Sequence, residues 1–202
     1  WIVEADKKFV IIGNMNAITY KEVFPLIQKN KMWPGSRFNK RLNGKNMTFY
    51  VPDDYALSGT EVEVNNEGKK MISVAGTGWF TNLDHGIRHQ FIPLMTMADN
   101  IKFSKHIEVK GLEYQKYDNY NAIEIPFTDA IPSDYDGVMG VPISFLPKYN
   151  PEQFEIIEML SSAGGGCMGT FPTNEVGQKI KDKRPLINGK NTYARILLKH
   201  KK

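Results

Sequence analysis

The sequence predicts an α/β fold in which a strand–loop–helix unit is followed by β-hairpins, and three observations support this fold class. Residues Phe9–Gly13 form a short apolar run without polar alternation, which is typical of a strand buried on both faces. A polar Asn-Met-Asn loop then leads to a helix pattern that begins at Thr19. Later segments look like strands and are separated by Asn-Gly and other glycine-containing turns.

The helix pattern after the first strand carries both a start and a stop signal. Thr19 and Glu22 have the spacing of a capping box, and Pro34 followed by Gly35 marks the end of the element. Pro25 removes a backbone donor and crowds the preceding turn. It therefore predicts a kink or a late start of the helix.

Two hairpins are predicted in the first half of the chain. A turn at Asn43 and Gly44 leads into a strand at Met47–Val51. The segments Glu61–Val64 and Lys70–Val74 alternate on either side of a glycine-containing turn, so they predict a second hairpin.

Further strands are predicted in the second half, at Ala122–Ile125, Val138–Leu146, Phe154–Met159 and Thr192–Leu198. Pro142 interrupts the second of these segments, which indicates an edge position or a bulge. Asn188 and Gly189 predict a hairpin turn before the last strand.

The composition excludes several classes of protein. A chain of 202 residues suits one domain, or one domain with an insertion. It contains no apolar run of the roughly 20 residues that a membrane span needs. Cys167 is the only cysteine, which excludes a disulfide framework and a cysteine-based zinc cluster and favours a reduced, cytoplasmic location. The net charge of +4 permits an anionic partner without requiring one.

The two asparagines that follow the first strand are candidate ligand contacts. In open α/β sheets, ligands bind beyond the carboxyl ends of parallel strands, so Asn14 and Asn16 would lie at a ligand edge if this strand is parallel to its neighbours. An alternative stays open, in which both asparagines only end the strand and tolerate left-handed backbone.

Two further segments carry residue types that suit nucleic acid. Four cations surround the Asn-Gly turn of the first hairpin and could follow a phosphate backbone: Arg37, Lys40, Arg41 and Lys45. They equally suit a solvated edge hairpin protected against aggregation. Trp79 and Phe80 lie close to Asn82 and could form one wall of a planar-ligand pocket, or could be core residues. His85 and His89 have helical metal spacing without the glutamate of the zinc-protease motif, so no metal site is predicted.

Four segments together resemble a known family. They are KKFVIIGNMNAITYKEVFPLI, GTGWFTNLDH, YDGVMGVPISFLPKYNPEQFEI and LINGKNTYARILL, and they extend from Lys7 to Leu198. They are similar, in the same order, to the C-terminal part of the EcoRI-type adenine-specific DNA methyltransferases. The resemblance implies a Rossmann-like class I methyltransferase sheet, of which this chain would form the C-terminal half with β-hairpin insertions. It also implies an enzyme that transfers a methyl group from S-adenosylmethionine to the exocyclic amino group of adenine in double-stranded DNA, after flipping the base out.

The catalytic motif of that family is absent from this sequence. Relatives carry an Asn/Asp-Pro-Pro-Phe/Tyr loop and a glycine-rich cofactor loop before the segment that matches the first strand, and neither occurs here. The resemblance therefore implies a fragment that holds no catalytic residue of its own and is inactive alone.

The resemblance does assign binding residues. The target-base pocket would include Asn14 and Asn16, with Phe145 placed where relatives stack an aromatic ring on the flipped base and Tyr149 competing for that role. DNA contacts would come from the two segments described above, through Arg37, Lys40, Arg41, Lys45, Trp79, Phe80, Asn82 and Arg88.

The implied organisation is one domain fragment in three parts. Residues 1–34 would form the strand–loop–helix of the core, residues 35–125 a hairpin-rich insertion for DNA recognition, and residues 126–202 the closing strands. Expected partners are double-stranded DNA and a restriction endonuclease of the same system, with no membrane. Two alternatives remain, namely a DNA-recognition module that works with a separate catalytic chain and an α/β interaction domain without nucleic acid.

Overall fold

The computed structural model describes residues 1–38, 40, 47–55, 62–74, 76–161 and 184–201. The architecture is α/β with mixed sheets and few helices. The described helices are α1 (Phe24–Gln28) and α2 (Met97–Phe103), with short 3-10 segments at Met15–Thr19, Gly86–His89, Thr128–Ala130 and Ile143–Lys148. Two of the predicted DNA-binding residues, Arg41 and Lys45, lie outside the described residues.

The first sheet contains the strand on which the sequence prediction was built. Strand β1 (Val10–Asn14) pairs antiparallel with β6 (Thr77–Thr81), which pairs on its other side with β2 (Trp33–Pro34). The prediction of a strand buried on both faces is wrong for the described residues, because β1 lies at the edge of the sheet and its aliphatic side chains are exposed. An apolar run indicates that a strand is suited to burial. It does not indicate that other residues of this chain pack on the strand and bury it.

The predicted late start of the helix is confirmed. A 3-10 segment follows β1, and α1 begins only at Phe24, with Pro25 in its first turn where a missing backbone donor costs nothing. Phe24 and Ile27 are both buried, so this short helix is held by its packing rather than by its length.

A second sheet has three antiparallel strands, β3 (Thr48–Tyr50), β5 (Lys70–Ser73) and β4 (Val62–Val64), in that order. The predicted hairpin between β4 and β5 is confirmed. Gly68 has a φ of 77° at its turn, and the Asn65 side chain accepts hydrogen bonds from the backbone of Glu67 and Lys69. No described residue of this sheet belongs to the buried core.

The third sheet is mixed and carries much of the core. Strand β7 (Ala122–Glu124) runs parallel to β8 (Val138–Pro142), and β12 (Arg195–His200) lies antiparallel between β8 and β9 (Phe154–Leu160). The predicted hairpin turn before the last strand is confirmed, since β10 (Leu186–Ile187) pairs with β11 (Lys190–Asn191).

The prediction for Val138–Leu146 needs correction. The strand ends at Pro142 and continues as the 3-10 segment, and β8 lies inside the sheet rather than at its edge. Pro142 is tolerated because it is the last residue of the strand, where the ladder needs no further donor.

Candidate functional site

A polar turn closes the carboxyl end of β1. The Asn14 side chain accepts a hydrogen bond from the Asn16 backbone at 2.8 Å, and the Thr19 hydroxyl donates to the Asn16 carbonyl at 2.8 Å. Both asparagines are exposed, and neither has a left-handed backbone. Asn14 therefore fixes the turn, while the Asn16 amide forms no hydrogen bond with the described residues and stays open to a ligand.

The chain leaves β2 through a strained backbone, and the Asn43–Gly44 turn of the predicted first hairpin lies outside the described residues. Arg37 and Phe38 both have positive φ values, of 69° and 45°, which is unusual for residues with side chains. The Phe38 ring lies directly over Gly78, where a Cβ atom would come within 2.5 Å of it, so a glycine is required there. The conformation leaves the side chains of Arg37 and Lys40 exposed.

The aromatic segment of β6 is used for packing. Phe80 is buried and meets Phe38 edge to face at 5.3 Å, while the half-buried Trp79 points its indole nitrogen at the Met47 sulfur. Asn82 accepts from the Phe9 backbone and donates to the Lys7 carbonyl, both at 2.9 Å. A side-chain amide has a second donor hydrogen and a second acceptor lone pair, so these two bonds orient Asn82 but do not by themselves prevent a DNA contact.

Arg88 is an internal residue with only 7% of its surface exposed. Its guanidinium stacks on the Trp33 ring at 3.7 Å, and Nη2 donates to the Asn30 side chain at 3.1 Å. Nη1 is buried without a partner among the described residues. Burial lowers the pKa of this guanidinium, and Asp84, 4.0 Å from Nε, opposes that effect. Arg88 therefore ties the Gly86–His89 segment to the rest of the fold.

The two aromatic residues predicted for the base pocket lie together in the core. Phe145 is completely buried, and its ring meets Phe154 at 5.4 Å and Tyr149 at 6.0 Å. The Tyr149 hydroxyl donates to the Phe154 carbonyl, and burial raises the pKa of this hydroxyl. Stacking on a flipped base needs an open ring face, so the structure favours a packing role for Phe145.

A charged cluster was missed by the sequence analysis. His89 binds Glu152 through Nδ1 at 2.7 Å and Asp84 through Nε2 at 2.9 Å, and so links the Gly86–His89 segment to the turn before β9. Both hydrogen bonds raise the pKa of His89, and the bond to His89 lowers that of Asp84. Within the described ranges, no group of three or more acidic, histidine or cysteine side chains is placed to hold a metal ion.

This cluster predicts a pH-dependent stability. The folded pKa of His89 is raised above its ordinary value of 6.5, so its contribution is fully present below pH 6.5 and is lost as the pH rises through the raised value. We expect His89→Gln to lower the melting temperature slightly at acidic pH and to have no effect at alkaline pH. Thermal melts of both proteins over a pH series would test this, and a difference independent of pH would contradict it.

A cleft of about 420 Å³ lies elsewhere, beside β7. Its lining includes three carboxylates and several apolar side chains, from Glu108, Val109, Leu112, Glu113, Glu124, Pro126 and Ile187 among others. None of the predicted site residues lines it. In the described part of the chain, no helix has the length and apolar character to cross a membrane.

Known proteins match this chain along nearly its whole length. Residues 1–201 match the family described as "Adenine-specific methyltransferase EcoRI". The type II methyltransferase M.EcoRI from Escherichia coli is 42% identical over 201 residues, which cover 100% of this chain and 52% of that protein. M.MgeORF184P from Mycoplasma genitalium is 31% identical over 98% of this chain and 58% of its own length.

A third relative, the type II methyltransferase M.MpnI from Mycoplasma pneumoniae, is 28% identical over 99% of this chain and 59% of its own length. The chain thus spans between half and three fifths of each of these relatives. No solved structure matches it. The family match over residues 1–201 is decisive, and the chain belongs to the EcoRI family of adenine-specific methyltransferases.

Proposed function

We propose that the whole protein transfers a methyl group from S-adenosylmethionine to the exocyclic amino group of adenine at specific sites in double-stranded DNA. The observation that carries this proposal is the family match over residues 1–201, together with 42% identity to M.EcoRI. The names of the relatives support a place in a restriction-modification system. A restriction endonuclease of the same specificity is the further partner that we propose.

The proposed fold of the whole enzyme is a Rossmann-like class I methyltransferase sheet, to which this chain contributes the C-terminal half. The mixed α/β architecture and the parallel pair β7–β8 support this assignment. Within it, residues 1–34 belong to the core, residues 35–125 form the recognition insertion and residues 126–202 close the sheet. The exposed Arg37 and Lys40 are proposed to contact DNA phosphates.

The residues of this chain do not by themselves fit the cofactor. The sequence contains neither the Asn/Asp-Pro-Pro-Phe/Tyr loop nor the glycine-rich loop that the family uses for methyl transfer and cofactor binding. We therefore propose that the 202-residue chain alone does not transfer a methyl group.

The turn at the end of β1 is the proposed part of the target-base pocket that this chain supplies. The open amide of Asn16 can both donate and accept, which matches the donor and acceptor that adenine presents side by side on one edge. Asn14 acts through Asn16, because its side chain holds the Asn16 backbone in place. Asn16 is thus a contact residue and Asn14 a positioning residue.

Substitution of these asparagines tests the assignment. In the whole enzyme, Asn16→Ala should lower kcat/KM for DNA by about 5- to 150-fold, since a bidentate amide–adenine pair contributes roughly 1–3 kcal/mol. Asn14→Ala should have a smaller effect of the same direction. Labelled methyl transfer into duplex DNA measures both.

Asn191→Ala is the matched control, because Asn191 is also an exposed asparagine but lies on β11 in the closing hairpin. It should leave kcat/KM unchanged. Equal kcat/KM values for the Asn16 and Asn191 variants would contradict the assignment of the polar turn to the target-base pocket.

A further inference from the structure

Two consecutive residues after β2, Arg37 and Phe38, form a strained turn. Among the described residues, five besides glycine have positive φ values, and three of them are Asp6, Asn30 and Asn188, whose residue types tolerate this region. The other two are Arg37 and Phe38, with φ values of 69° and 45°. A strained backbone persists only where the surrounding structure holds it, and such strain is frequent at ligand-binding sites.

The packing of Phe38 explains the strain at that residue. Its ring is buried, lies over Gly78 and meets Phe80 edge to face. Its backbone N–H donates to the Gly35 carbonyl at 2.8 Å, and its carbonyl accepts from the Trp79 N–H at 3.0 Å. Strand β6 and the end of β2 therefore fix both the ring and the backbone of Phe38.

The fold gives no corresponding reason for an arginine at position 37. The Arg37 side chain is exposed and forms no hydrogen bond or ion pair with other described residues. A glycine or an asparagine would adopt a φ of 69° with less strain. The arginine side chain therefore points to a partner beyond the described residues. Phosphate suits it, because the planar guanidinium binds phosphate oxygens through two parallel hydrogen bonds.

The strained turn lies close to the polar turn that closes β1. In the register of β1 and β6, Gly78 is opposite Gly13 and Thr77 is opposite Asn14. The Phe38 ring over Gly78 is thus one strand position away from Asn14, which is about 3.3 Å along the strand. The strained turn and the proposed target-base pocket therefore belong to the same end of the sheet.

We propose that the strained turn holds Arg37 ready to bind a DNA phosphate beside the target-base pocket, with Phe38 and Gly78 as its positioning residues. A guanidinium that is already in place loses less freedom on binding, which offsets the strain. The ring of Phe38 fits over β6 only because Gly78 has no Cβ, which would come within 2.5 Å of it. The inference rests on the proposed function and deepens it by naming the residues that orient a DNA contact.

Binding of a mixed-sequence DNA duplex to the whole protein, measured by fluorescence anisotropy over a salt series, tests the cation. Arg37→Ala should weaken binding about tenfold and reduce the slope of log affinity against log salt by about one, because one phosphate contact is lost. Arg37→Lys should keep the slope, because it keeps the charge. Lys29→Ala should change neither quantity, since Lys29 is an exposed cation with an ordinary φ of −83°.

Gly78→Ala in the same assay tests the positioning. The new methyl group would collide with the Phe38 ring and displace the strained turn, while the Arg37 cation stays present. We expect weaker binding and a slope reduced by about one, as for Arg37→Ala. Phe38→Ala, which removes the ring without a collision, should have the same effect. Gly86→Ala is the matched control, because a Cβ at Gly86 meets nothing within 4 Å.

Thermal melts of glycine and alanine variants test the strain itself. Arg37→Gly should melt roughly 1–4 °C above Arg37→Ala, because glycine adopts a positive φ without strain. At Lys29, where φ is negative, the order of the two variants should reverse. Both Arg37 variants should lose DNA affinity equally.

The outcomes separate this inference from the proposed function. DNA binding that is unchanged in Arg37→Ala, or unchanged in both Gly78→Ala and Phe38→Ala, would overturn the inference. A melting temperature of Arg37→Gly below that of Arg37→Ala would also overturn it. If all the binding changes occur but the whole protein transfers no methyl group to DNA, the inference stands and the proposed function fails.

Discussion

Replacing Arg195 by methionine is expected to lower the free energy of unfolding by about 3–5 kcal/mol, because it leaves a buried carboxylate unpaired. Arg195 donates from Nε and Nη2 to one Glu124 oxygen, at 2.8 and 2.6 Å, and Tyr117 donates to the other. Burial raises the pKa of Tyr117 and keeps it a donor. The Arg195 and Glu124 side chains are only 11% and 9% exposed. Urea unfolding measures the loss.

Lys199→Met is the matched control on the same strand. Lys199 pairs with Glu155 at 3.1 Å, but both side chains are about half exposed, so the loss should stay below about 1 kcal/mol. If the two variants lose equal free energy of unfolding, the buried Arg195–Glu124 pair does not stabilise the fold more than the exposed Lys199–Glu155 pair.

Phe145→Ala is expected to lower the free energy of unfolding by about 3–5 kcal/mol, through lost burial and the cavity that remains. The side chain is fully buried between Tyr149 and Phe154. A ring that only stacked on a flipped base would instead cost roughly 1–3 kcal/mol of DNA binding and leave stability unchanged. Chemical denaturation of the DNA-free protein separates the two roles.

Phe103→Ala provides the comparison, since Phe103 is 60% exposed at the end of α2. Phe103→Ala should lower the free energy of unfolding by much less than Phe145→Ala. If the Phe145→Ala protein is as stable as the unsubstituted protein but binds DNA more weakly, the result would contradict the packing role. It would support the stacking role predicted from the family resemblance.

Two of the predicted hairpins, β4–β5 and β10–β11, were predictable because the information that specifies them is local. Asn188 and Gly189 have φ values of 50° and 72°, and a tight hairpin turn of this kind requires positive φ at both central residues. Gly68 supplies the positive φ value that the longer turn between β4 and β5 needs. The late start of α1 was predictable for the same reason, because Pro25 lacks a backbone N–H donor and is tolerated only in the first turn of a helix.

The site was less predictable because its contacts are distant in sequence. Arg88 looked like a surface cation, yet it is buried because the Trp33 ring and Asn30 receive its guanidinium. The His89 cluster depends on Glu152 in the same way. Phe145 suited stacking by its place in the family pattern, but the side chains that cover it come from β9 and the preceding turn. No local pattern encodes these partners.

Strand β1 shows what an apolar run does and does not predict. Its composition suits burial on both faces, and its exposure in this chain reflects the absence of a cover among the described residues. The correction therefore concerns the environment of the strand and not its conformation, which is a strand as predicted. The ligand-edge rule that pointed to Asn14 and Asn16 holds for parallel strands, whereas β1 pairs antiparallel with β6, so their role in a pocket stays a prediction.

The identity of the methylated nucleoside tests the central claim most directly. Duplex DNA would be incubated with labelled S-adenosylmethionine and either the whole protein or the 202-residue chain, then digested to nucleosides and separated. We predict label only on the exocyclic amino group of adenine with the whole protein, and none with the chain alone. Label on cytosine, transfer by the chain alone, or no transfer by the whole protein would contradict the account.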